Sequence, residues 1–440
     1  MMIPEDDESL TQRPPRRWWH VATVDVTPLR RHRDFRLLFI GRFVSFFGSM
    51  VTTVAFPYQV YQLTGSVLLV GILGVFEFAA ILTFAFVGGA LADARDRRTL
   101  VLASEAAMMG CSLLLAGNAA LAHPQVWLLF VVATAWGLLD AIQRPSLDAM
   151  LPRLVDRDEL TAAGALSMLR STLGMILGPA LGGVLIAAFG LTFTYLFDVA
   201  TFVVGLGCLL LMRSVPAPID AERPSVRRVV EGLRYAKSRQ ELIGTYVVDM
   251  VAMFFGMPMA LFPAIAQGLG GPKVLGLLYA APAVGSFLAS ATSGWTNRVH
   301  RHGMGVTVAA VTWGAAIIGF GLSPTLGPAL LFLALAGAAD LVSGIFRGVI
   351  WNQTIPDSLR GRLASIEMVS YTSGPALGNF EAGLVAALFN VRVSIVSGGV
   401  LCVIGCVACA AALPLFRAYD ARRYHAAPDT AAGAVKREKP

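Results

Sequence analysis

The sequence predicts an all-α membrane protein with twelve transmembrane helices in two six-helix bundles and both termini in the cytoplasm. Three observations carry that expectation. Of 440 residues, 56% are hydrophobic and 14% charged, with a mean hydropathy of +0.66, whereas a soluble domain is about 25% charged. The apolar stretches are long and unbroken, each near or above the ~20 residues that cross a ~30 Å hydrocarbon core. Lipid favours helices, because they bond every backbone amide within one segment, while a barrel would need short alternating strands. The third observation is a strong asymmetry of Lys and Arg between alternate loops.

The apolar segments run from about Phe35 to Leu63, Val67 to Ala92, Thr99 to Leu121, Gln125 to Met150, Glu159 to Phe189 and Leu191 to Met212. Six more run from about Leu242 to Gln267, Val274 to Val299, Gly303 to Ser323, Pro328 to Ile355, Leu359 to Phe389 and Val391 to Phe416. With the amino terminus inside, 29 of the 35 Lys and Arg lie in tails, inward loops and the inner ends of the spans, as positive charge on the inner side does. Four lie deeper within helices (Arg42, Arg144, Arg170, Arg347) and two outside (Lys273, Arg392). The first 34 residues are polar, Arg-rich and Pro-containing, with no cleavable apolar core, and are expected as a disordered cytoplasmic tail; 417–440 are read the same way. Between the bundles (35–212 and 242–416) lies a polar linker, 213–241. Its Val226, Val229, Val230 and Leu233 recur at helical spacing opposite arginines, as in an amphipathic helix on the inner leaflet.

These positions account for the net charge of +7 as topology, which removes nucleic acid as an expected partner. All five cysteines (Cys111, Cys208, Cys402, Cys406, Cys409) sit inside apolar runs, so neither disulfide framework nor metal cluster is expected. No Gly-x-x-x-x-Gly-Lys-Ser/Thr phosphate loop occurs, and no cofactor is implied.

The halves carry traces of a repeat. Gly178-Pro179-Ala-Leu-Gly182 in the fifth span recurs as Gly374-Pro375-Ala-Leu-Gly378 in the eleventh, 196 residues later. Gly137-x-x-Asp140 in the fourth recurs as Gly337-x-x-Asp340 in the tenth, 200 residues later. Two matches at nearly one offset, in corresponding spans, point to duplication. A six-plus-six repeat about a central site allows one bundle to rock against the other.

The second span enters a short inward loop as Gly89-Ala-Leu-Ala-Asp93-Ala-Arg-Asp-Arg97-Arg98. Glycine permits close approach, and an acid followed by arginines at a membrane edge can pair with charged groups or helix ends elsewhere; the plainer reading is a topological marker. The fifth span holds Gly174-x-x-x-Gly178-Pro179-x-x-Gly182-Gly183, where proline removes an internal hydrogen bond and glycines leave a flat packing surface.

These stretches resemble the major facilitator superfamily, whose signature here is Gly-x-Leu-Ala-Asp-Arg-x-Gly-Arg-Arg; Ala94 and Asp96 depart from it. The resemblance implies that Gly89, Asp93, Arg97 and Arg98 form a cytoplasmic gate that latches the halves, with Asp148 as a pairing partner. The fifth-span motif is similar to the antiporter motif of drug-efflux members. Phe35-Arg-Leu-Leu-Phe-Ile-Gly-Arg42-Phe, Pro57-x-x-x-Tyr61-Gln-Leu-Thr-Gly-Ser66, Arg144-Pro-Ser-Leu-Asp148-Ala-Met-Leu-Pro152 and Arg360-Gly-Arg362 resemble the branch of enterobactin exporters and macrolide pumps. Many proton-coupled exporters carry an arginine just before a glycine such as Gly137; Trp136 stands there instead.

Charges in the membrane are costly and therefore functional candidates. Asp140, Asp340 and Glu77 are the candidates for proton coupling. Asp140, Arg144 and Asp148 share one face of the fourth span at i, i+4, i+8, which also suits a self-neutralising ladder. In the superfamily the first, fourth, seventh and tenth spans line the cavity, which places Arg42, Asp140, Asp249 and Asp340 to see water; the cavity or substrate candidates are Arg42, Phe46, Asp249, Phe254, Arg347 and Trp351, together with Arg170 deep in the fifth span. Apolar walls with few polar groups suit a loosely recognised amphiphile. The expected function is a secondary exporter, not an enzyme. It resides in the cytoplasmic membrane as a functional monomer and exchanges a siderophore or hydrophobic drug for protons. The alternatives are an importer or symporter of the same fold and a membrane-embedded transferase, which the short outward loops disfavour.

Overall fold

Capping residues and glycines decide where the helices begin and end. The computed structural model describes residues 25–215, 234–356 and 359–422, and among these no strand occurs. A short helix, α1 (Thr27–Arg31), leads into α2 (Arg33–Thr64), so the end of the stretch expected as a tail is helical. Gly65, at φ 64°, ends α2 and donates to the Tyr61 carbonyl at 2.8 Å, and Ser66 caps α3 (Val67–Ala94) by accepting from Leu69 N. Asp96 caps α4 (Arg97–Ala120) by accepting from Thr99 N at 2.8 Å; both are favoured N-cap types. After α5 (Val126–Leu154) comes α6 (Leu160–Leu210), broken into two limbs at Gly190 (φ 77°, ψ 178°), a conformation open to glycine. The break falls where the fifth and sixth apolar segments meet.

The second half holds α7 (Gln240–Phe255), α8 (Phe262–Leu269), α9 (Pro272–Ala291), α10 (His302–Leu322), α11 (Leu326–Thr354), α12 (Arg360–Leu388), α13 (Val391–Ala412) and α14 (Pro414–Arg417). The seventh apolar segment is therefore discontinuous. Gly256 and Pro258 separate α7 from a 3-10 turn at Met259–Leu261 and from α8. Residues 234–238 are helical; the rest of the expected linker helix lies outside the described residues. At the other end, Tyr419 and Ala421 are buried, and Ala421 N donates to His300 O at 3.0 Å. The carboxy-terminal stretch expected to be disordered is therefore docked as far as that point.

The two faces of the molecule differ. One carries the chain ends, tied by contacts such as Arg31 to Glu159 (3.1 Å) and Arg97 N to Val215 O (3.1 Å); we call it the terminal face. The opposite, far face carries the turns at Gly65, Gly190 and Asn390. A continuous apolar core that includes Val54, Leu115, Leu129, Leu261, Leu275 and Leu333 joins the halves, while separate clusters around Leu38, Val101 and Met150, and around Phe35 and Leu166, lie toward the terminal face of the first half.

Packing repeats with the sequence. A Cβ on Gly137 would strike the Glu77 carbonyl oxygen, and one on Gly337 the Pro282 carbonyl oxygen; Glu77 and Pro282 each stand ten residues into their helices, α3 and α9. Gly178 lies on Met50 in α2, and Gly374 and Gly378 lie on Met253 in α7. Between the halves, Gly183 meets Pro272 and Gly276, while Gly71 meets Asn379 and Phe380. The 196-residue offset carries Gly183 onto Asn379, and Gly71 and Gly276 are each four residues into their helices. The halves thus join along two seams, α6 on α9 and α12 on α3, related by the internal repeat.

Candidate functional site

Nine residues into α2, Arg42 gives Nη1 to the carboxylate of Glu105 on α4 and to Gln143 Oε1 on α5 at 3.1 Å. Glu105 is 0% exposed and also accepts from Ser45 Oγ and Gln143 Nε2, each at 3.3 Å. A buried carboxylate is tolerable when it is paired and hydrogen-bonded. Sequence reasoning missed Glu105, Gln143 and Ser45. The signal was present: Glu105 is the only charged residue between Thr99 and Leu121.

In the second half the corresponding position, nine residues into α7, is Asp249. Its partner is Arg347 on α11, whose Nη2 also lies 3.7 Å from Asp340. Arg347 sits over the Trp351 ring at 6.0 Å, Trp351 stacks with Tyr246 at 5.7 Å, and Trp351 Nε1 donates to Thr245 at 2.9 Å. The Asp340 side chain is 45% exposed. Arg347 therefore serves two carboxylates, one enclosed and one open.

A comparable group occupies the first half. Asp140 Oδ2 is 3.3 Å from Arg144 Nη2, and Glu77 feels both charges. Arg144 Nη1 also donates to Tyr371 on α12 at 3.0 Å, a bond that crosses between the halves. Glu77 and Trp136 line a cavity of about 230 Å³ with Thr53, Phe56, Met259, Tyr279 and Asn379. A larger apolar groove of about 780 Å³, between α9, α10 and α11, lies apart from these charges.

Asp198 is fully enclosed and accepts from Thr52 (2.8 Å), Ser112 (2.7 Å) and Thr201 (3.3 Å). A Cβ at Gly48 would strike both Thr201 and Asp198, so that glycine makes room for the carboxylate.

Arg170, half-buried on α6, has no hydrogen-bond or ion-pair partner among the described residues; its Nε is sealed and unsatisfied. It lies four residues before Gly174, whose missing Cβ accommodates the Phe46 ring. Phe46 therefore packs between α2 and α6. Phe254 meets Phe255 edge-on at 4.9 Å.

Arg97 and Arg98, expected to belong to a gate, lie at the terminal face. Arg98 donates to the Leu209 and Leu210 carbonyls at 2.7 and 2.8 Å, and Arg97 Nη1 to Ala149 O at 3.0 Å; cations favour such helix C-termini. Arg98 is thus bound to backbone, with no bond to Asp148. The surroundings of Gly89 and the side chain of Asp93 lie outside the described residues. In the fifth-span motif, Gly174, Gly178 and Gly182 pack on α2, whereas Gly183 and the Pro179 carbonyl meet α9. The motif therefore builds both a helix contact within one half and a seam between halves.

Comparison with known proteins agrees with this architecture. The family model described as transmembrane secretion effector, a major facilitator family, matches residues 23–439. The chain is 29% identical over 385 residues to an enterobactin exporter of Citrobacter koseri, covering 87% of this chain and 92% of that one. To the enterobactin exporter of Salmonella typhimurium it is 28% identical, covering 87% and 93%. Among solved structures, a POT family transporter superposes with a TM-score of 0.69 at 11% identity, covering 88% of this chain and 97% of that one. The nucleoside transporter NupG gives 0.66 at 13%, covering 90% and 100%. At these identities the likeness is one of fold.

Proposed function

The chain belongs to the transmembrane secretion effector family of the major facilitator superfamily, and from that premise we propose a proton-driven exporter of a small amphiphilic molecule, working by alternating access. The family is one of transporters, and the chain is a multi-pass membrane protein with ten segments long and apolar enough to span a bilayer among its described residues. Counting the two limbs of α6 on either side of Gly190 separately and adding α12 supports twelve spans. The terminal face, rich in arginine, is then cytoplasmic, and the membrane is the cytoplasmic one. The two glycine seams lie toward the far face, which supports a state closed outside and open inside. A siderophore is the favoured cargo class, because the relatives named enterobactin exporters match along 87% of the chain.

The observation that carries proton coupling is Arg347 shared between Asp249 and Asp340. One cation cannot neutralise two carboxylates, so the group has room for one proton. Drying the cavity favours its uptake, and wetting or pairing favours its release. Asp140 beside Glu77 and Arg144 offers a second such place in the first half. Enterobactin transport in reconstituted vesicles under an imposed pH gradient tests this reading. Asp340→Asn is expected to abolish gradient-driven transport while exchange without a gradient persists. Unchanged gradient-driven transport in both Asp340→Asn and Asp140→Asn removes these acids from the mechanism.

A further inference from the structure

We propose that Arg170 is an anion-binding subsite, so that the transported molecule carries an acidic group. The inference rests on the transporter reading and names the chemistry of its cargo. Arg170 stands ten residues, about 15 Å, from the start of α6, a depth at which an unpaired guanidinium is costly. Its neighbour in charge is another cation, Arg42. The acid at hand, Glu105, is already bound to Arg42, Ser45 and Gln143. Of the carboxylates farther off, Asp140 is engaged with Arg144, and Asp249 and Asp340 with Arg347. Among the described residues, two arginines and one carboxylate leave this centre one positive charge in excess.

The geometry suits a ligand better than a structural pair. Arg170 Nε is sealed and lacks an acceptor, while the side chain as a whole is only half-buried, so its terminal nitrogens stay open to an oxyanion. One turn farther along, Gly174 leaves the Phe46 ring against α6, with Met50 beyond it at Gly178. An acid at Arg170 and an apolar body against Phe46 and Met50 is the arrangement of an amphiphilic anion. A guanidinium recognises carboxylate, sulfonate or phosphate oxygens as a planar fork. The shared chemistry is an oxyanion on an aromatic or aliphatic body.

The test uses the full-length protein in phosphatidylcholine nanodiscs with two matched probes, 1-anilinonaphthalene-8-sulfonate and N-phenyl-1-naphthylamine. The second has the aromatic skeleton of the first without its sulfonate. The wild type is expected to bind the sulfonate more tightly once binding to empty discs is subtracted. Arg170→Gln is expected to weaken the sulfonate by roughly tenfold or more and leave the neutral probe unchanged, with Arg170→Lys intermediate. On the unaltered protein, benzoate should displace the sulfonate and benzamide should not, a result that does not depend on how any variant folds. No sulfonate preference in the wild type, a preference retained in Arg170→Gln, or equal displacement by benzoate and benzamide overturns the proposal. Because these are equilibrium measurements, they stand whether or not proton-driven transport is found.

Discussion

The two halves place opposite charges at one position: Arg42 nine residues into α2 and Asp249 nine residues into α7. In the first half the partner, Glu105, is fully enclosed and held by three donors. In the second half the partner, Arg347, is shared with an open carboxylate, Asp340. Yet the glycines around these charges make corresponding contacts in both halves. Duplication thus kept the packing that brings helices together and let the charges diverge. One half acquired a closed pair, in which Glu105 Oε2 and Arg42 Nε stay sealed without a hydrogen-bond partner, and the other a pair shared with a second, exposed acid.

The contrast is sharpest in stability. Glu105→Gln strips a buried arginine of its counter-charge and is expected to cost about 3–5 kcal/mol, read as a fall in unfolding midpoint in detergent. Asp249→Asn should cost less, about 1–2 kcal/mol, because Arg347 retains Asp340. Equal losses would erase the distinction between the halves.

Glycine substitutions probe what the halves share. Gly183→Val on one seam and Gly71→Val on the other each put a side chain into an opposing backbone and should cost about 1–3 kcal/mol. Each should also raise thiol labelling of a cysteine placed at Ala260. A response from only one seam would show that the repeat no longer closes the molecule symmetrically. Gly48→Ala, which crowds Thr201 and Asp198, belongs to the same range and affects the first half alone.

The smallest effect lies in the terminal-face loop. Burial works to raise the Asp96 carboxyl, but hydrogen bonds from Ser214 and Thr99 outweigh it and hold the group below the ordinary carboxylate value. A depressed native value stabilises above the unfolded value of about 3.9, and that stability is lost as pH falls through the lower native value. Ser214→Ala should therefore cost about 0.5 kcal/mol at neutral pH, discounted for partial exposure. Its difference from wild type should shrink as pH falls below about 4. A pH-independent difference would assign the effect to packing.

Much of the fold was legible because hydrophobic length and charge asymmetry act locally. The break at Gly190 and the caps at Ser66 and Asp96 fall where segment ends were expected. The repeat of Gly137 and Gly337 extends to their contacts on Glu77 and Pro282. The site was less legible, since its pairs join residues far apart in the chain. Arg42 and Glu105 are 63 residues apart, and Arg144 and Tyr371 are 227 apart. A sequence marks such residues as unusual in an apolar run but does not say which neighbour each will meet. The same limit hid the docking of Tyr419, whose partner Gln353 comes from another helix.

The loop between α3 and α4 has a mechanical consequence. Asp96 is bonded to Ser214, Arg97 N to Val215 O, and Arg98 to the last carbonyls of α6. These bonds staple the loop to the end of α6 and to Ser214 and Val215 just beyond it. A displacement of Ser214 or Val215 is passed directly to Asp96 and Arg97. Whatever strains the chain at Ser214 and Val215 therefore holds a lever on the corner between α3 and α4.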